Sequence, residues 1–87
     1  MTIYQVDTHR RVLKRLKSIQ EKHRQQILSR LRSLGETPRP QDSIKLKSPL
    51  DGYRITIGEY RVLYTIDDEE KVLHVYLLIQ RGEGYPE

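Results

Sequence analysis

The stretch Tyr53-Arg54-Ile55-Thr56-Ile57-Gly58-Glu59-Tyr60-Arg61-Val62-Leu63-Tyr64 narrows the possible folds more than any other part of the chain. Two segments of alternating character meet at Gly58-Glu59. Glycine adopts the positive φ that opens a type II′ turn, so this pair reads as a two-residue hairpin loop. Such a loop sets the register: Ile57 pairs with Tyr60, Thr56 with Arg61 and Ile55 with Val62. The apolar members then share one face, and Arg54, Thr56 and Arg61 gather on the other. Two arginines on an open sheet face suit an anion, phosphate above all, because guanidinium is planar, permanently charged and bidentate.

Around this hairpin the rest of the chain falls into place. Thr2 to Val6 reads as a short strand, and Asp7 or Thr8 can cap the helix that follows. Val12, Leu13, Leu16 and Ile19 form one apolar stripe at helical spacing, and Ile27, Leu28, Leu31 and Leu34 repeat it. Gly35 is placed to end the second helix, with Pro38 and Pro40 just beyond. Neither glycine nor proline marks the break between the helices. Thr37 to Asp51 reads as a loop that Ile44 and Leu46 pin to the core. Strands follow near 53–57, 60–66 and 71–79, with Asp67-Asp68-Glu69-Glu70 as the polar loop between the last two. Val72 to Ile79 is almost continuously apolar, which predicts a central strand covered on both faces. The predicted fold is α+β: an N-terminal strand, a two-helix hairpin, then a three-stranded meander completing a mostly antiparallel sheet, with the helices on one face. Residues 1–87 are read as one domain.

With no Phe and no Trp, the core must be aliphatic plus tyrosine, and with no Cys, disulfides and thiolate metal sites are excluded. His9, His23 and His74 are too scattered for a metal spacing, and the acidic 67–70 run lacks the spaced ligands and central glycine of a calcium loop. Neither a metal nor a cofactor is expected. Nothing resembles a signal peptide or a membrane span, so a soluble, cytoplasmic protein without membrane association is expected. Charge is unevenly spread. Residues 1–54 hold 13 Lys/Arg and 5 Asp/Glu, a balance of +8, and residues 55–87 hold 3 and 7, a balance of −4. A basic N-terminal half suits a polyanion or an acidic protein partner.

Residues 53 to 68, Tyr-Arg-Ile-x-Ile-Gly-Glu-Tyr-Arg-Val-Leu-Tyr-x-Ile-Asp-Asp, resemble the signature hairpin of the RelE/ParE toxin superfamily. The tail Gln80-Arg81-Gly82-Glu83-Gly84-Tyr85 resembles a degraded copy of that family's closing His-Arg-Arg-Glu-Val-Tyr motif. The resemblance implies a toxin of a type II toxin–antitoxin pair, of the kind that cuts messenger RNA in the ribosomal A site. Its partners would be a cognate acidic antitoxin, the ribosome and messenger RNA, with operator DNA reached only through the antitoxin complex. A ParE-like DNA gyrase inhibitor is the alternative. A third reading is an inactive relative that acts only in antitoxin binding and operator regulation.

Internal cleavage of RNA needs a 2′-OH to lose its proton, the attacked phosphate to be stabilised, and the leaving 5′ oxygen to be protonated. Arginine serves the second task. A tyrosine among cations can serve the first. By resemblance, Arg61 and Arg81 would neutralise the scissile phosphate, Arg81 would assist the leaving group, and Tyr85 would orient or deprotonate the 2′-OH. Arg54 and Thr56 would bind RNA. Thr56 stands where the best-known branch has Lys, Gln80 where the motif has His, and Gly82 where it has a second Arg. Strict alternation, however, puts Arg81 on the same face as Leu77 and Ile79, the helix-covered one. It reaches the open face only if the strand ends or bulges after Ile79.

Overall fold

The computed structural model describes residues 3–85. Its elements run β1 (Gln5–Thr8), α1 (Arg10–Lys17), α2 (Glu21–Glu36), β2 (Ile44–Lys45), β3 (Tyr53–Ile57), β4 (Tyr60–Asp67) and β5 (Val72–Gln80). They build a five-stranded sheet in the order β1-β5-β4-β3-β2. β1 is parallel to β5 and every other pair is antiparallel. The hairpin has the register its turn dictates, Ile57↔Tyr60 through Tyr53↔Tyr64, and Gly58 carries the positive φ of 58°.

Several boundaries differ from the sequence reading, each for a packing reason. The first strand begins and ends later than Thr2–Val6, and Thr2 lies outside the described residues. Its limits are set by pairing with β5, Gln5↔Val72 to Thr8↔Val75, closed by the His9 N–H donating to the Val75 carbonyl at 2.8 Å. Asp7 and Thr8 are therefore spent in the strand. The cap of α1 is His9 instead, whose Nδ1 accepts from the Arg11 N–H at 3.1 Å. The helices separate at Ser18–Gln20, where buried Ile19 turns into the core. Gly35 does not end α2 but lies inside its last turn. The reason is a close approach: the Gly35 carbonyl accepts from the Tyr4 N–H at 2.8 Å, and a Cβ on Gly35 would sit 2.8 Å from the Tyr4 oxygen.

The helices cover one face. Val12, Leu16, Ile27, Leu31 and Leu34 pack there against Ile55, Val62, Tyr64, Leu73, Val75 and Leu78. Leu13, expected in that stripe, is 47% exposed. Tyr64 is fully buried, and its hydroxyl donates to the Pro38 carbonyl at 2.7 Å, tying the loop after α2 to the sheet. Burial penalises the phenolate and pushes the Tyr64 phenol up to about 12. The loop from α2 to β3 was expected to lack a strand, yet Ile44 and Lys45 pair with Arg54 and Tyr53. Ile44 is exposed and pins nothing; Leu46 and Leu50 pack against Leu63, Leu77 and Ile79 on the far side of the sheet. That loop explains the long apolar run of β5. The strand is covered on both faces, though the middle position in the sheet belongs to β4. The acidic turn after β4 is anchored too. Arg39 Nη2 pairs with Asp68 at 2.8 Å and Tyr4 donates to the same carboxylate at 2.6 Å, which holds Asp68 down at about 2.

Candidate functional site

One irregularity in β5 decides what the face away from the helices contains. Leu77 pairs with Leu63, but Val75 pairs with Tyr64, so Tyr76 is an extra residue in the ladder. A bulge of this kind reverses the alternation beyond it. Before it Leu73 and Val75 face the helices. After it Leu78 does, while Leu77 and Ile79 join Leu63 on the opposite face. Arg81 continues the Leu77–Ile79 series and so reaches the open face. The expected need for a bulge after Ile79 is thereby corrected: the bulge comes earlier, and no glycine or proline marks it.

On that face the cross-strand rows run Arg54–Leu63–Leu77 and Thr56–Arg61–Ile79. Beyond the second row the Arg81 N–H donates to the Glu59 carbonyl, extending the ladder past Gln80. Thr56, Gly58, Glu59, Arg61 and Arg81 line a concavity of about 210 Å³. Two arginines and a threonine thus line one hollow beside the Gly58-Glu59 turn, a donor-rich setting for a single phosphate. Glu59, read from the sequence only as a turn residue, is also among the residues that line it.

Arg54 and Tyr85 form a neighbouring pair rather than part of this hollow. Arg54 Nη1 donates to the Tyr85 hydroxyl at 3.4 Å, and Arg54 Nε is buried without a hydrogen-bond partner among the described residues. Residues 54 and 56 of one strand lie about 7 Å apart, close to the spacing of successive phosphates in an extended nucleic acid strand. The tail that carries Arg81 and Tyr85 is itself held. Glu83 accepts from the Gln80 N–H at 2.8 Å and pairs with Arg15 of α1, and its carboxyl is lowered first by Arg15 and then by the Gln80 N–H. Neither Arg15 nor Glu83 was singled out from sequence, since a contact 68 positions apart leaves no local pattern.

His74 lies beside Asp7 of β1, Nδ1 to Oδ2 at 3.3 Å, and is not among the residues that line the hollow. His23 stacks obliquely near Tyr60, ring centroids 6.1 Å apart. Among the described residues no helix is long and apolar enough to cross a membrane.

Residues 6–85 match the family model described as the ParE toxin of the type II toxin–antitoxin system parDE. Among solved structures, the chain is similar to the archaeal RelE–RelB complex from Pyrococcus horikoshii, with 31% identity, 97% of this chain and 100% of that chain covered, and a TM-score of 0.80. It is similar to the isolated E. coli RelE toxin at 28% identity, over 93% of this chain and 87% of that one, with a TM-score of 0.77. The RelBE2 toxin–antitoxin complex from Mycobacterium tuberculosis shares the fold at 22% identity, 91% and 99% coverage and a TM-score of 0.80. No curated protein matches the sequence. The hairpin, the helix layer on one sheet face and these matches along nearly its whole length agree: the chain belongs to the ParE toxin family of type II toxin–antitoxin systems, within the RelE/ParE superfamily, and its structure is RelE-like.

Proposed function

We propose that the chain is a ribosome-dependent messenger RNA endonuclease that stops translation. The observation that supports this most is the bulge at Tyr76, which leaves Arg81 in the same hollow as Arg61 and Thr56. In this reading the two guanidinium groups hold the scissile phosphate and stabilise the charge that builds on it as the 2′-oxygen attacks. Arg81, at the solvent edge, is placed to assist the departing 5′ oxygen. Arginine is too weak a base to take the 2′-OH proton. Two other groups stand nearby to orient or accept it, Tyr85 and Glu59. Arg54 lies one row away and binds an adjacent phosphate through its outer guanidinium nitrogens. The ribosome aligns the message, which a shallow site with few contacts does not do for itself.

An acidic antitoxin is the proposed protein partner, drawn to the +8 balance of residues 1–54. The Pyrococcus and Mycobacterium structures are both complexes with antitoxins. Operator DNA would be contacted only through that complex. A second reading, inhibition of DNA gyrase, draws on the match to the ParE family model. Two assays separate the two. Purified protein is added to ribosomes programmed with a message whose codon occupies the A site, and separately to gyrase supercoiling relaxed plasmid. Cleavage of the message with gyrase unaffected is the expected result. Intact message with gyrase inhibited would establish the second reading, and neither effect would make the chain a regulatory relative.

A further inference from the structure

We propose that Glu83, held by Arg15, is a positioning residue that fixes Arg81 in the anion hollow and Tyr85 beside Arg54; its effect on rate rests on the cleavage reading above. The tail leaves β5 at Gln80 and is flanked by two residues without side chains, Gly82 and Gly84. Neither supplies packing that could hold the backbone. What closes the turn is Glu83. Its N–H donates to the Gln80 carbonyl at 3.0 Å, and its Oε1 accepts from the Gln80 N–H at 2.8 Å. Arg81 and Gly82 are thus the central residues of a turn bonded at both ends to the same pair.

Arg15 completes the arrangement from another element. Its Nη1 donates to Glu83 Oε2 at 3.3 Å and its Nη2 pairs with Oε1, a two-pronged contact that fixes orientation as well as distance. The same Oε1 therefore joins α1 to the end of β5. With the Arg81 N–H bound to the Glu59 carbonyl, the residue is fixed on both sides, by the hairpin turn and by the Glu83 turn. Tyr85, two residues beyond Glu83, reaches Arg54 on β3, two strands away from the strand the tail leaves.

The pair is partly exposed, with side chains 33% and 42% accessible, and an exposed pair contributes little to global stability. Its effect is local: it restricts where Arg81 and Tyr85 sit, and misplacement by about 1 Å can cost as much as a hundredfold in rate. Arg15 and Glu83 touch no substrate in this arrangement.

The test is a double-mutant cycle on programmed ribosomes, with maximal rate, half-saturating ribosome concentration and thermal midpoint measured for each protein. Glu83→Ala is expected to lower the maximal rate roughly tenfold while leaving half-saturation within about twofold and the midpoint within a few degrees. Arg15→Ala should lower the rate less, because the Gln80 bond survives. The double variant should be no slower than Glu83→Ala, and Arg15→Lys should recover part of the loss. Where the wild type cleaves, additive losses or unchanged rates overturn the proposal. Amide exchange and chemical shifts of residues 80–85 are recorded on the same proteins, without ribosomes. Faster exchange at Gln80, Arg81 and Glu83 in Glu83→Ala supports the clasp even if the wild type cleaves nothing. Identical exchange and shifts in wild type and variant overturn it whether or not the wild type cleaves.

Discussion

Arg11 donates through Nε to the carbonyl of Tyr76 at 2.6 Å, at the very residue where β5 carries one residue more than β4. A bulge takes a carbonyl out of the sheet ladder, and here a guanidinium from α1 satisfies it. The consequence reaches five residues further, since the reversed alternation is what sends Arg81 to the open face. Arg11→Ala should destabilise by about 1 kcal/mol, read from urea midpoints, since water can replace the lost donor. Deleting Tyr76 is a different matter. It closes the ladder, bringing Val75 and Leu77 together opposite Tyr64 and Leu63, so Leu78 stays in the helix-covered core and Arg81 stays on the open face. What is lost is the Tyr76 hydroxyl bond to the Asp51 carbonyl and the Arg11 contact, a cost of about 1–3 kcal/mol in urea midpoints.

Arg61→Ala and Arg81→Ala test the hollow. Each should cost about 2.7–4 kcal/mol of transition-state stabilisation, roughly a hundred- to thousandfold in cleavage rate. Neither side chain is part of the packed core, so folding should change by less than about 1 kcal/mol. The check is single-turnover cleavage on programmed ribosomes beside urea unfolding. Wild-type rates in both variants would refute the assignment.

Tyr64 gives a pH dependence with a definite sign. Its phenol is raised from 10.0 to about 12 in the folded protein, so between those values the unfolded chain releases a proton that the folded chain keeps. Stability from this group is therefore complete below pH 10 and is lost as pH rises toward 12. Tyr64→Phe should be less stable at neutral pH by about 1 kcal/mol, having lost the hydroxyl that donates to Pro38. Its stability should also fall less steeply in alkali. Urea midpoints of both proteins across that range give the comparison directly, because Tyr4 and Tyr76 titrate in both.

Gly35→Ala would be stabilising if helix propensity decided the outcome. The Cβ it adds would meet the Tyr4 carbonyl at 2.8 Å, an atom of the backbone that cannot swing aside. The expected result is a loss of about 1–3 kcal/mol and a lower thermal midpoint, with helix content by circular dichroism unchanged. A higher midpoint would show that the N-terminal segment yields instead.

Local pattern determined a good deal. The Gly58-Glu59 turn set the hairpin register outright, because a two-residue loop leaves one pairing and alternation follows from it. That was enough to place Arg54, Thr56 and Arg61 on one face. The helical stripes foretold which face would be covered, through Val12, Leu16, Ile27, Leu31 and Leu34. Other features had no local signal. The bulge at Tyr76 sits in a strand with a parallel neighbour on one side and an antiparallel one on the other, and with loop residues Leu46 and Leu50 against its second face. Nothing in the run Val72 to Ile79 distinguishes it from an unbroken strand. The same is true of His9 as the cap, chosen because pairing with Val75 extended β1 through Thr8, and of Gly35, kept for the approach of Tyr4. Periodicity thus determined which residues share a face within one element, since that depends only on spacing along the chain. Tertiary packing decided where alternation reverses and which distant groups meet, Arg81 with Arg61 and Glu83 with Arg15, because those contacts form only once separate elements compete for the same space.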